Sequence, residues 1–156
     1  MSRLPHSGFR CEPDPDNPGW MTWDSLDPAR FNGSAMGKLI VRAEGAETCR
    51  VRMVPGHAHA NLPGGVHGGV ILALIDIALF ATYYNLRHGD ALNAVTLELH
   101  NQFIGAGELE EPLDAVSEIL KETGRLVFMR GTVVQSDRLV ASFTGTMRKA
   151  KASPQP

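Results

Sequence analysis

An α+β fold, an antiparallel sheet of about six strands wrapped around one long central helix, is predicted by three observations. One helix-length apolar run, Gly68 to Arg87, stands in the middle of the chain. Strand-like segments come before and after it, two and then four. The four late segments are joined by short turns, which favours antiparallel pairing.

Residues 1–30 are expected to form an irregular N-terminal extension. The stretch Cys11-Glu-Pro-Asp-Pro-Asp-Asn-Pro-Gly19 concentrates turn formers. Trp20 and Trp23 are expected to tack it onto the body, with a short helix or turn over Asp24 to Phe31. The main domain is expected over residues 31–149, followed by a disordered tail over 150–156. Lys38 to Ala43 and Thr48 to Val54 read as a hairpin, because Cys49, Val51 and Met53 alternate with Arg50 and Arg52. After the helix come Ala94 to Phe103, Leu113 to Glu122, Leu126 to Ser136 and Leu139 to Arg148. In the first of these, Val95, Leu97 and Leu99 alternate with Thr96, Glu98 and His100. Thr123-Gly124-Arg125 and Ser136-Asp137-Arg138 supply turns between the late strands.

The 156 residues fit one domain, large enough to hold a core without staples. Fifteen Lys+Arg against 17 Asp+Glu argue against nucleic acid as the main partner. Cys11 and Cys49 have no metal-ligand spacing and read as free thiols in a reducing compartment. The first residues lack the apolar core of a signal peptide. Asp76 breaks the longest apolar run, so no membrane span is expected. The chain reads as soluble and cytoplasmic.

Chemistry concentrates where a polar turn meets the helix. Between Val70 and Ala81 the only ionisable residue is Asp76. A helix apolar all round is normally buried, and an unpaired carboxylate there is costly, so Asp76 is expected to have partners and a role. It suits a general base or a nucleophile, against the alternative of a structural carboxylate. Just upstream lies Asn61-Leu-Pro-Gly-Gly-Val-His67-Gly68-Gly69. Free N–H groups at a helix start, with the positive dipole end, can stabilise a developing oxyanion, and Gly68 N–H is the candidate donor. The same glycines also serve a tight turn. Asn61 can orient water or a carbonyl, or simply close its own turn. Thr96 can hydrogen-bond Asp76 or the water, or be an ordinary strand residue. His67 can position the reacting group or tie down the loop.

The pattern His59-Ala-Asn61-x-x-Gly64-x-x-His67-Gly68-Gly69, with Asp76 nine residues after His67, resembles the hotdog-fold acyl-CoA thioesterases of the phenylacetate-degradation type. The resemblance spans roughly Phe31 to Arg148, with weaker matches at Thr96 and at Gly124-Arg125. It implies hydrolysis of an acyl-CoA to CoA and a carboxylic acid, with no cofactor and no metal. It makes Asp76, Asn61, Gly68, His67 and Thr96 catalytic candidates, and Gly69, Gly124 and Arg125 candidates for holding substrate and CoA. Arg148, Lys149 and Lys151 are further cations for CoA phosphates. Phe80, Tyr83, Tyr84, Phe103 and Phe128 suit either an acyl tunnel or the core.

Helix geometry adds a constraint. Gly68 and Asp76 stand roughly 12 Å apart along one axis, at about 1.5 Å per residue, whereas both must reach one carbonyl. A second copy is therefore expected, with Asp76 of one subunit facing Asn61 and Gly68 of another across a two-fold axis. The resemblance implies the same arrangement, as a homodimer or homotetramer with the sheet continued between subunits. Three competing readings are a hotdog hydratase or dehydratase, a non-catalytic acyl-CoA-binding protein, and a metal site built from His57, His59 and His67.

Overall fold

The computed structural model describes residues 8–88 and 91–149. Two-residue strands β1 (Phe9–Arg10), β2 (Met21–Thr22) and β3 (Asp24–Ser25) come first. Next are β4 (Ile40–Ala43) and β5 (Thr48–Met53), then helix α1 (Gly68–Arg87). Four long strands follow: β6 (Val95–Phe103), β7 (Leu113–Glu122), β8 (Leu126–Gln135) and β9 (Arg138–Arg148). The main sheet runs β2-β4-β5-β7-β8-β9-β6 and is antiparallel throughout. The expected α+β architecture holds, with the short β2 added as a seventh strand.

The central helix packs against the sheet. Ile71, Leu74, Ile75, Ala78 and Leu79 are buried together with Val51, Met53, Ala115, Val127, Met129, Phe143 and Met147. Each large side chain removed from water contributes roughly 1.5–3 kcal/mol. Contact is close enough to require glycine in the sheet. A Cβ at Gly145 of β9 would stand 2.6 Å from Leu79 Cδ1. By length and composition alone α1 could cross a bilayer, Asp76 notwithstanding, but here half of that apolar stretch is buried inside the fold.

Contrary to what its composition predicts, the helix is not buried all round. Gly69, Leu72, Ala73, Asp76 and Phe80 keep some solvent exposure. Their spacing of three to four residues places them on one stripe. Asp76 is thus half-buried at the margin of the core rather than sealed within it.

Strand β6 corrects a second expectation. It pairs only with β9, so it forms one edge of the sheet along its whole length of 9 residues. Its register with β9 shifts between Thr96 and Glu98, where β6 carries one extra residue, Leu97. A bulge reverses the facing of everything upstream of it. Val95 and Leu97 are consequently 41% and 54% exposed, while Thr96 turns toward the helix and Asp76. Simple alternation puts Thr96 on the other side.

The N-terminal segment is held by more than its tryptophans. Trp20 and Trp23 are buried as expected. Trp23 also stacks edge-on with Phe9 and Tyr84, at ring-centre distances of 4.5 and 5.6 Å. The Asp14 carboxylate, with no side-chain exposure, is paired with Lys38 Nζ at 2.9 Å. Of the short helix or turn expected over Asp24 to Phe31, the structure has a turn at Pro28–Ala29, closed by Arg30 N to Asp27 O at 3.2 Å, and a helical segment follows at Asn32–Met36. The tail after Lys149, and Lys151 with it, lies outside the described residues.

Candidate active site

The polar turn before α1 is built by Asn61. Its Oδ1 accepts from Gly65 N at 2.9 Å, and its Nδ2 donates to Val66 O at 3.4 Å. Gly64, at φ 97°, occupies the left-handed position that closes such a turn. Two backbone bonds brace it: Val66 N to Gly107 O and His67 N to His59 O, both 2.8 Å. Asn61 therefore does serve its turn. One Nδ2 hydrogen remains, and the residue still lines a groove of about 240 Å³ together with Gly68, Ile71 and Phe103.

His67 is the N-cap of α1. Its Nδ1 accepts from Gly69 N at 2.8 Å. The next two amides, Val70 N and Ile71 N, both point at His67 O, at 2.9 and 3.3 Å. Gly68 N–H is the first-turn donor for which the described residues supply no acceptor. One imidazole thus uses up the Gly69 amide and leaves the Gly68 amide open. Gly69 itself lines a separate groove of about 420 Å³ with His67, Val70, Ala73, Met36 and Phe31. The Phe103 ring packs on the bare face of Gly68, where a Cβ would meet Phe103 Cζ at 3.2 Å.

Asp76 is oriented from the strand side. Thr96 Oγ1 donates to Asp76 Oδ1 at 2.7 Å. One carboxylate oxygen is thereby anchored, and the other has no hydrogen-bond partner among the described residues. Neither groove at the helix mouth is lined by Asp76. The Gly124–Arg125 turn stands at the Asp76 end of the sheet, because Arg148 pairs in register with both Val95 and Leu126. Arg125 is exposed there. Lys149 is engaged with Glu122, which leaves Arg125 and the exposed Arg148 as the better anion contacts.

The predicted residues therefore fall into two groups at opposite ends of β6. Asn61 and Gly68 line one groove with Phe103, with His67 and Gly69 on the neighbouring groove, while Asp76 meets Thr96 at the other end, where the Gly124–Arg125 turn lies two strands away across β9. Seven residues of strand at roughly 3.3 Å each separate the ends. Phe103, ambiguous between tunnel and core in the sequence, proves 55% exposed and part of the first group. Asn101, two residues before Phe103, has a buried side-chain amide without a hydrogen-bond partner among the described residues.

Other reactive groups are occupied elsewhere. Both ring nitrogens of His59 tie the loop, Nδ1 to Gly56 N at 2.9 Å and Nε2 to Ala35 O at 2.8 Å. Burial pushes the Cys11 thiol up to about 11 and the Cys49 thiol to about 12, so neither is a nucleophile near neutral pH.

Comparison with known proteins adds lineage to this geometry. The family described as "Thioesterase superfamily" matches residues 63–142. His67, Gly68, Gly69, Asp76, Thr96, Gly124 and Arg125 lie inside that span, and Asn61 lies two residues before it. Among solved structures, a mutant of the phenylacetic acid degradation protein PaaI from Thermus thermophilus is 28% identical, with TM-score 0.65, over 80% of this chain and 100% of that one. The PaaI protein of E. coli, at 19% identity and TM-score 0.68, covers 80% and 88% respectively. A hypothetical thioesterase protein from Streptococcus pneumoniae, solved with coenzyme A, is 22% identical with TM-score 0.67, over 75% and 89%. No curated protein matches the chain.

Proposed function

From the premise that the chain belongs to the thioesterase superfamily of hotdog proteins, we propose that it is an acyl-CoA thioesterase whose active site is assembled from two subunits. The observation that carries this reading is the separation just described. An open amide donor at Gly68 and a fixed carboxylate at Asp76 stand at opposite ends of one strand whose outer edge is unpaired. Long apolar sheet edges are normally covered, and β6 exposes Val95, Leu97 and Phe103. A two-fold axis through the middle of β6 pairs it antiparallel with its copy. The Thr96–Asp76 end of one subunit then lies beside the Phe103–Gly68 end of the other, giving two equivalent sites.

Within such a site the thioester carbonyl oxygen lies on Gly68 N–H, assisted by the remaining Nδ2 hydrogen of Asn61. Asp76 Oδ2 acts in one of two ways. As a base it takes a proton from water, whose oxygen attacks the carbonyl carbon. As a nucleophile it attacks that carbon itself, and water cleaves the resulting anhydride. Either way the negative charge on the carbonyl oxygen is held by the Gly68 amide. Collapse breaks the carbon–sulfur bond, and the departing thiolate takes up a proton. Arg125, with the open backbone at Gly124, is placed to meet the CoA phosphates. The coenzyme A bound to the pneumococcal structure supports CoA as the carrier.

Mixing two inactive variants tests the assembly. Asp76→Asn and Gly68→Pro each disable one half, and proline is well tolerated at the first helical position. If sites form between subunits, a refolded equimolar mixture regains about one quarter of wild-type activity, from the one intact site in each mixed dimer. A mixture as inactive as its components would rule out the shared site.

A further inference from the structure

His59 is half-buried and lies outside the span 63–142 that the family matches. Its imidazole is fully engaged, and the partners decide its tautomer. Gly56 N can only donate, so Nδ1, 2.9 Å away, accepts from it. The ring proton therefore sits on Nε2 and is donated to Ala35 O at 2.8 Å. The first bond closes the short helical turn His57–His59. The second leaves that turn and reaches back 24 residues, to the helical segment Asn32–Met36. Met36, 2% exposed, roots that segment in the core, so Ala35 O is a fixed point. Among the described residues this is the one hydrogen bond between Asn32–Met36 and residues 55–67.

The backbone of the same residue works in the other direction. His59 O accepts from His67 N at 2.8 Å. His67 caps α1, its Nδ1 holds the Gly69 amide, and the Gly68 amide between them stays open. Three hydrogen bonds in series thus run from Ala35 through His59 and His67 to the first turn of the helix. Ala35, Met36, His67 and Gly69 also line the groove of about 420 Å³, and His59 lines it with them.

We propose that His59 is a positioning residue for the reaction. Its ring ties the start of α1 to the core-anchored segment Asn32–Met36, and so fixes where the open Gly68 amide points. The inference rests on the thioesterase reading and adds to it a residue that acts through His67 rather than on the substrate. An amide that stabilises an oxyanion must stand within about 0.5 Å of its place, and an error of about 1 Å can cost up to about 10²-fold in rate. A loop held at one end only gives its cap that freedom.

A role confined to closing the His57–His59 turn would use Nδ1 alone, and two amide side chains separate the two bonds. Gln carries an amide nitrogen close to the place of Nε2 and can donate to Ala35 O. Asn carries an oxygen close to the place of Nδ1 and can accept from Gly56 N, but it is too short to reach Ala35. Steady-state hydrolysis of hexanoyl-CoA by the full-length wild type, His59→Gln and His59→Asn therefore tests the proposal. His59→Asn should lose about tenfold in kcat with KM within about twofold, while His59→Gln stays within about threefold of wild type in both. In a Gly68→Pro background, where the amide hydrogen is already gone, His59→Asn should cost no more than about twofold further. An Asn variant as active as the Gln variant, or a tenfold loss repeated in the Gly68→Pro background, would overturn the inference and leave the thioesterase reading intact. An Asn variant that fails to fold or associate would make the bond structural and overturn it too. No hydrolysis of hexanoyl-CoA by the wild type would overturn both readings.

Discussion

At the β4–β5 end of the sheet, charged side chains are saturated with partners. Glu44 accepts from Arg50 Nε at 2.7 Å and from Arg42 Nη2 at 2.5 Å. Asp114 accepts from Arg52 Nε at 2.7 Å and from Arg50 Nη1 at 3.0 Å. The Arg42 and Arg52 guanidinium groups lie 4.5 and 4.8 Å from the centre of the Trp20 ring. Along β6 the reverse holds. The Gly68 amide, both ends of the Asn101 side chain and an entire strand edge are left open. Both regions are rich in polar groups. The first uses them to hold the N-terminal segment and two strands together, and the second keeps them in reserve. Polarity alone does not point to a site; polarity without internal partners does.

That contrast can be broken by substitutions whose effects should separate cleanly into rate and stability. The largest effect is expected from Asp76→Asn, which should still fold and associate but lose at least about 10²-fold in kcat. Retained turnover in a steady-state assay would remove Asp76 from the chemistry. Gly68→Pro, which deletes the amide hydrogen and also presses a Cβ onto the exposed Phe103 ring, should cost about 10²–10³-fold in kcat with circular dichroism showing the helix intact, whereas Gly68→Ala, which makes the same contact but keeps the hydrogen, should cost much less. A smaller loss, about tenfold, is expected of Thr96→Val, which frees Asp76 Oδ1 without changing side-chain shape; its stability should move by no more than about 1 kcal/mol in denaturant titration.

The smallest effect belongs to the saturated region. Arg50, and after it Arg42, hold the Glu44 carboxyl down at about 2, from an ordinary value of 4.5. A depressed carboxylate contributes stability that is fully present above pH 4.5 and lost as the pH falls toward 2. Glu44→Gln should thus cost about 1 kcal/mol at neutral pH, allowing for solvent screening, with the deficit shrinking through that acid window and kcat unchanged. An activity loss there would erase the distinction between the two regions.

How far the sequence revealed all this depended on the range of the interaction. The bounds of α1 were legible because an apolar run between His67 and a basic last turn is a local signal. So was β5, whose burial alternates residue by residue from Thr48 to Met53. Asp76 stood out by being alone. Gly68 N–H was singled out as a free donor, but that His67 Nδ1 takes up the neighbouring Gly69 amide was not legible, because which amide a side chain reaches is a matter of angstroms. The short strand β2 was hidden by its setting among prolines: Met21 and Thr22 pair through Val41 and Ile40, a contact between distant segments. The Thr96–Asp76 hydrogen bond was among the readings of the sequence, but the bulge that turns Thr96 inward was not legible, because one inserted residue cannot be seen in a pattern that looks regular on either side of it.

That inserted residue makes β6 a strand written in two frames. From Glu98 onward its residues follow one phase against β9, and before Leu97 they follow the other. Set without a gap against a strand that lacks the extra residue, β6 would place Thr96 on an outward-facing position and its hydroxyl would be missed. Deleting Leu97 from the chain would do the same thing physically, carrying Thr96 off the carboxylate while leaving Leu99, Asn101 and Phe103 where they are.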